Sequence, residues 1–306
     1  MTNAVWTLLA QILLMIAFGI FITKKKILTE GMKNNLSTFL LKGVLPISIL
    51  SSAGSEFSME RIGGFGMTAL IAVVYYIIML VVMKALSRHL KLPEKGEPIF
   101  VTMCTFANVG FIGLPLASQL FGELGMLCAI AFNILYNLIL FSFGVMMLSG
   151  EKTFSPKVIF GNSAIQMSVV AMILYVLPFR FPAFIQTTLS SVGSMMVPLS
   201  MIIIGYEIAV MDLRDIIKDK YSYLISLIRL LIVPVIACVI LSFLPVNHTV
   251  ASVCVLLMAL PAGSFNVILS QQYDCNPSFA ARSVTQNMLF MVITLPVILY
   301  LMGVLL

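Results

Sequence analysis

The sequence returns repeatedly to one unit, a run of about 20 apolar residues closed by a short polar loop. A bilayer core about 30 Å thick is crossed by roughly 20 residues of helix, so a chain made of such runs folds in lipid. Its backbone polar groups must then be satisfied within helices. Ten spans are expected, near residues 4–22, 34–54, 64–86, 98–121, 124–148, 158–178, 183–210, 222–244, 249–271 and 278–305. The fold class is therefore an all-α membrane protein. With 60% hydrophobic residues and a mean hydropathy of +1.09, the 306-residue chain leaves no room for a soluble domain.

Charge gives the orientation. Of the 18 Lys and Arg, 14 stand in or beside loops that follow odd-numbered spans. Arg61 and Arg180 follow even-numbered ones, and Lys42 and Arg229 lie within spans. The positive-inside rule places the odd loops in the cytoplasm and both termini outside the cytoplasmic membrane. The same rule accounts for the net charge of +6, so no nucleic-acid partner is inferred. Residues 4–22 read as the first helix rather than a signal peptide: no basic residue precedes them, Lys24, Lys25 and Lys26 follow, and no small-residue cleavage site is present. Cys104, Cys128, Cys238 and Cys254 lie in spans and Cys275 at the end of one, without metal-ligand spacing. Buried free thiols are expected, with no metal and no cofactor.

The two halves resemble each other. "VLPISIL" around Pro46 and "MVPLSMI" around Pro198 share Pro-x-Ser at an offset of 152 residues, and Ser118-Gln119 recurs as Ser270-Gln271 at the same offset. Two matches in one register indicate duplication, with repeats at 1–152 and 153–306. Five helices per repeat is an odd number, so the second copy enters the membrane from the opposite side. Inverted repeats of this kind are common among secondary transporters.

Each half also carries a break at mid-membrane depth. In "TFANVGFIGLP" (105–115), Pro115 cannot donate to the carbonyl of Phe111, while Gly110 and Gly113 tolerate unwound backbone. In "LPAGSFN" (260–266), Pro261 frees the carbonyl of Leu257, Gly263 loosens the chain, and Ser264 and Asn266 add polar side chains. A lone Pro kinks many packed membrane helices. Two interrupted helices at corresponding places point instead to a central binding site, with half-helix N-termini suited to a carboxylate and C-terminal carbonyls suited to a cation. The candidate binding residues are Asn108, Val109, Gly110, Gly113 and Pro115, with Pro261, Ala262, Gly263, Ser264 and Asn266.

"ANVGFIGLPLASQLFG", "VLPISIL" and the tail from "ALPAGSFNVILSQQYD" onward resemble the auxin efflux carrier family over essentially the whole chain. That family includes bacterial malate and malonate permeases and, more distantly, the PIN-type plant auxin carriers. The resemblance implies a fold similar to the bile acid:sodium symporters. Helices 4 and 9 would be broken and crossing, helices 1, 2, 6 and 7 a dimerising scaffold, and helices 3–5 and 8–10 a transport domain. It also implies organic-anion substrates, a homodimer and elevator-like alternating access. This chain lacks the long cytoplasmic loop of the larger plant members.

Other intramembrane polar residues complete the candidates. Asn133, Tyr136 and Asn137 share one face of the fifth span, so Asn133 and Asn137 are expected to line the cavity. Gln286 is expected to bond a neighbouring helix. Lys42 is expected to snorkel to the interface. Arg229 is a functional candidate or the partner of Glu207, and Glu207 is either the best proton-coupling candidate, because desolvation favours a neutral carboxyl, or an interfacial carboxylate exposed to water. Gln271 and Ser200 are adequate sodium ligands, so proton and sodium coupling both stay open.

The leading function is secondary transport of a small carboxylate such as malate, malonate or an auxin-like weak acid, with membrane lipid as the surroundings. The nearest alternatives are a coupled carrier of another substrate class and a cation/proton antiporter, though neither break holds the carboxylate that antiport requires. A channel or sensor remains a further class. An enzyme is not expected: no H-E-x-x-H or paired-Asp motif occurs, and the two His, His89 and His248, lie near helix ends.

Overall fold

The structure, a computed structural model, describes residues 2–52, 59–150, 166, 170, 181–210, 219–263 and 265–306. The expected sixth span, apart from Gln166 and Val170, and Ser264 lie outside the described residues. In the first half the helices are α1 (Thr2–Lys24), α2 (Glu30–Phe39), α3 (Leu45–Ser52), α4 (Met59–Ser87), α5 (Gly96–Thr105), α6 (Leu114–Ile139) and α7 (Val145–Ser149). In the second they are α8 (Ala183–Gly193), α9 (Met196–Ala209), α10 (Lys220–Leu227), α11 (Val233–Ser242), α12 (His248–Met258), α13 (Phe265–Gln272) and α14 (Pro277–Leu305). Five helical stretches among the described residues are long and apolar enough to cross a membrane: Ile62–Ser87, Val109–Ser149, Ala183–Ala209, Lys220–Phe243 and Pro277–Leu305.

Proline explains much of the segmentation. Among the described residues four π-helical turns occur, at Leu40–Val44, Val109–Gly113, Leu140–Gly144 and Ile228–Ile232. Three of them lead into helices whose second residue is Pro46, Pro115 or Pro234. Each proline lacks the N–H that its i−4 carbonyl needs, and its ring crowds that carbonyl. The helix widens upstream, and the residue before each proline bonds five residues back: Leu45 to Leu40, Leu114 to Val109 and Val233 to Ile228. The fourth and fifth expected spans meet at a corner inside α6, where Gly122 takes φ 62° and ψ −146°, backbone angles that side chains resist.

Burial separates lipid-facing from central elements. On α4, Leu70, Val74, Ile77 and Val81 form one exposed apolar stripe, and Ile293, Val297, Tyr300 and Val304 form another on α14. In contrast, every residue from Ile99 to Val109 and from Val250 to Gly263 is buried. The two interrupted helices are the core of the molecule.

Two groupings flank that core. Along one side α1 packs on α9 through glycines: a Cβ at Gly19 would stand 2.5 Å from the carbonyl oxygen of Ile202, and one at Gly205 would meet the backbone of Ile16 and Gly19. Such backbone contact is how small residues hold membrane helices together. Gly19→Val is expected to lower the thermal midpoint of the purified protein by several degrees, because overpacking costs about 1–3 kcal/mol. Gly31→Ala, facing open space, serves as the control. Equal midpoints for the two variants would refute the close packing.

On the other side, loops tie the remaining helices together. Lys95 Nζ donates to the Asp274 carbonyl at 2.8 Å and pairs with its carboxylate at 3.2 Å. Asn276 Nδ2 donates to the Glu94 carbonyl at 2.9 Å. Tyr221 donates to the Lys91 carbonyl, and Arg282 pairs with Asp219 at 3.3 Å. Deeper, Ser222 and Ser283 hydroxyls lie 3.0 Å apart, Asn287 Nδ2 reaches Ser226 Oγ at 3.0 Å, and Ser226 Oγ donates to Gln286 at 3.5 Å. Gln286 therefore does bond a neighbouring helix, α10.

Candidate substrate site at the crossing of two interrupted helices

Helix α5 stops at Thr105, and Asn108, at φ −81° and ψ 63°, is the non-helical residue that starts the next segment. Its side-chain Oδ1 accepts from the Phe111 N–H at 3.2 Å, capping the new helical turn. The second break opens beyond Met258, and the two meet as a short antiparallel pair, Ala107 opposite Ala262. Asn108 N–H donates to the Pro261 carbonyl at 2.8 Å, and Gly263 N–H donates to the Phe106 carbonyl at 3.0 Å. Backbone that each helix gives up is thereby satisfied by the other, which is what apolar surroundings require.

Small residues permit this approach. A Cβ at Gly263 would lie 3.0 Å from the Ala107 carbonyl oxygen and 3.0 Å from the Tyr136 hydroxyl. A Cβ at Gly113 would lie 2.6 Å from the Leu257 side chain. Asn266, fully buried, donates from Nδ2 to the Phe106 carbonyl at 3.2 Å and to the Gly263 carbonyl at 3.0 Å. Rings pack round the pair: Tyr76 stacks on Phe106 at 5.7 Å between centroids, and Phe106 meets Tyr136 edge-on at 6.0 Å.

Arg229 is the charge at the crossing. It lies in the π-helical turn before α11, is fully buried, and is not paired with Glu207. That alternative is corrected. Glu207 instead forms an ion pair with Lys33 at 2.5 Å, both side chains part-exposed. The Arg229 guanidinium donates to the carbonyls of Leu260 (Nε, 3.0 Å), Cys104 and Thr105 (Nη1, both 3.1 Å) and Leu257 (Nη2, 3.4 Å), and to the Tyr75 hydroxyl. The Cys104, Thr105 and Leu257 carbonyls stand at the C-terminal ends of α5 and α12, where the helix dipoles are negative, and that of Leu260 lies two residues beyond α12; Thr105 also accepts from the Tyr75 hydroxyl at 3.1 Å.

A cavity of about 340 Å³ borders the crossing. Lys33, Asn34, Ser37 and Thr38 of α2 and Ile203, Ile204 and Glu207 of α9 line one wall. Asn108, Phe111, Phe265, Ile268 and Met288 line the other. Phe265 opens α13, so the starts of both second half-helices face this space.

The sequence profile of one family, described as membrane transport protein, matches residues 4–167 and 152–299, nearly the whole chain. The chain belongs to the auxin efflux carrier family. Comparison with curated proteins gives no match. This auxin efflux carrier family member is a membrane transporter, and its apolar helices make it an integral membrane protein.

Within this carrier the expected site residues divide. Asn108 and Glu207 line the cavity. Ala262, Pro261, Gly263 and Asn266 build the crossing itself, and Val109, Gly113 and Pro115 are buried behind it. Gly110 lies beside Asn133, whose Oδ1 is 4.0 Å from where a Cβ would be. Asn137 Nδ2 donates to the Asn133 carbonyl at 2.7 Å, and neither residue is among those bordering the cavity. Ser200 is buried and spends its hydroxyl on the Val197 carbonyl at 2.9 Å, Gln271 is exposed near the end of α13, and Lys42 is exposed. All five cysteines are free and buried.

Sequence reasoning passed over the α2 wall. Lys33 counted only as a loop cation, yet Lys33, Asn34, Ser37 and Thr38 recur at helical spacing, a polar face that could have been read.

Proposed function

We propose that this carrier moves small organic anions, mono- or dicarboxylates, across the cytoplasmic membrane by elevator-type alternating access. The observation that supports this most is the cavity, which places one cation, Lys33, opposite Asn108 and the N-terminal ends of two half-helices. Its size falls in the range of small-ligand pockets. Phe111 and Phe265 offer apolar walls for the carbon skeleton, and Lys33 with the helix N-termini offers positive potential for a carboxylate. With both termini outside, Lys33 lies towards the cytoplasm and the cavity opens inward. Helices α1, α2 and α9 form the stationary wall and, by family resemblance, contribute to a homodimer. The crossing, α10 and α14 form the moving one. A cation/proton antiporter is disfavoured because the charge at the crossing is Arg229, a cation.

Glu207 holds Lys33 when no substrate is present, so the two side chains should act in opposite directions. In proteoliposomes, Lys33→Gln is expected to raise the KM for malate, malonate or an aromatic carboxylate about 10- to 100-fold, the worth of a charge-assisted hydrogen bond. Glu207→Gln, which releases Lys33, is expected to lower it. Shifts of the same sign in both variants, or saturable uptake of none of the three anions, would sink this reading.

A further inference from the structure

We infer that Arg229 is a tethered replacement for a coupling cation: its guanidinium occupies the place between the two half-helix C-termini where an interrupted-helix carrier would bind sodium. The inference rests on the transport reading for its importance and on geometry for its content.

Half-helix C-termini and unwound carbonyls are the groups that coordinate sodium or protons in carriers with broken helices. Here four such carbonyls, from Cys104, Thr105, Leu257 and Leu260, converge on one guanidinium together with the Tyr75 hydroxyl. Among the described residues no carboxylate touches Arg229, although it is fully buried. A buried unpaired charge would be prohibitive, so its compensation comes from elsewhere. Each helix C-terminus carries about half a negative charge, and two of them balance one cation. A single Arg therefore neutralises the pair, and all three of its nitrogens donate to acceptors already in place.

Geometry separates this from a merely convenient hydrogen bond. The acceptors come from both interrupted helices, and their carbonyls lack helical donors. A bound metal ion would need the same oxygens. With the guanidinium there, no coordination position is left for sodium, and Ser200, bonded to its own helix, and Gln271, exposed, contribute no site beside it. Arg229 thus positions both breaks permanently, a task that an exchangeable ion performs only while bound.

Two measurements on the purified full-length protein test this without requiring transport. First, the thermal midpoint of the wild type is followed while sodium chloride replaces choline chloride at constant ionic strength. No sodium-specific change is expected, and a saturable rise, the mark of a bound ligand, would overturn the inference. Second, Arg229→Ala is expected to lose thermal stability and to regain it with millimolar guanidinium, but not with urea, which matches guanidinium in shape without its charge. A variant as stable as the wild type without any addition would overturn the proposal, as would equal rescue by urea. Should Arg229→Ala fail to fold, Arg229→Lys and Arg229→Gln replace it. Lys is expected to retain more stability and uptake than Gln, and equality of the two would count against the charge.

Uptake in proteoliposomes at fixed pH and potential is expected to be the same, within about twofold, in sodium and in choline. Guanidinium rescue together with absent uptake of every anion tried would uphold the role of Arg229 while removing the anion reading.

Discussion

Uptake by Asn108→Ala is expected to fall about 10- to 100-fold, with a loss of only a few degrees in thermal midpoint. Two functions of one side chain produce this split. As the cap of the turn at Val109, Asn108 supplies Oδ1 to the Phe111 N–H, and removal of such a cap costs about 1 kcal/mol. As a wall of the cavity, it is a polar group of the crossing that borders the space proposed for the substrate. Losing a hydrogen bond to a charged ligand costs about 1.5–3 kcal/mol, which is the larger effect on function. The backbone bond to Pro261 survives the substitution, so the crossing persists. Asn108→Ser separates the contributions, since serine caps nearly as well but is too short to reach where the amide did. Recovery of stability without recovery of uptake is the expected result. Full uptake by Asn108→Ala would move the binding site away from the crossing.

Gly263→Val is expected to do more damage, abolishing uptake and destabilising the protein by about 2–5 kcal/mol. Any Cβ at this position falls 3.0 Å from the Ala107 carbonyl oxygen, which is backbone and cannot rotate away. A branched side chain forces the two segments apart. The bonds from Asn108 to Pro261 and from Gly263 to Phe106 then lengthen together, and each leaves a buried polar group unsatisfied. Overpacking adds about 1–3 kcal/mol. Gly66→Val, on the outer side of α4 with nothing within 4 Å, is the control and should transport normally. Measurement of thermal midpoint and initial uptake rate on both variants decides the matter, and near-normal uptake by Gly263→Val would show that the crossing can open without loss.

What could be read from the sequence follows from how local each cause is. Pro115 and Pro261 lack an N–H whatever the tertiary structure, so the breaks at Asn108 and Gly263 were readable from composition and depth alone. The long apolar helices Ile62–Ser87, Lys220–Phe243 and Pro277–Leu305 were readable for the same reason, since apolar run length is a local property. The partner of Arg229 was not. Its acceptors are backbone carbonyls of Cys104, Thr105, Leu257 and Leu260, and a carbonyl has no residue-type signature. Only the fold brings α5 and α12 within reach of one side chain. Glu207 was the tempting partner because it is a charge visible in the sequence. The choice of Lys33 follows from α2 lying against α9. Asn266 shows a third case: its residue type suggested a ligand, and it serves as a clasp on the crossing.

The covalent attachment of Arg229 bears on what drives the cycle. An ion that cannot dissociate cannot run down its own gradient, so it delivers no work to the cargo however tightly it is held. If its cargo crosses as an anion alone, a carrier with such a built-in charge draws on the concentration ratio of that cargo and on the voltage across the membrane. For a monovalent anion, 100 mV negative inside is equivalent to about 2.3 kcal/mol, or roughly a 50-fold concentration ratio favouring the outside. Release of weak acids from an energised cell is then the thermodynamically downhill direction, and accumulation requires a higher concentration outside.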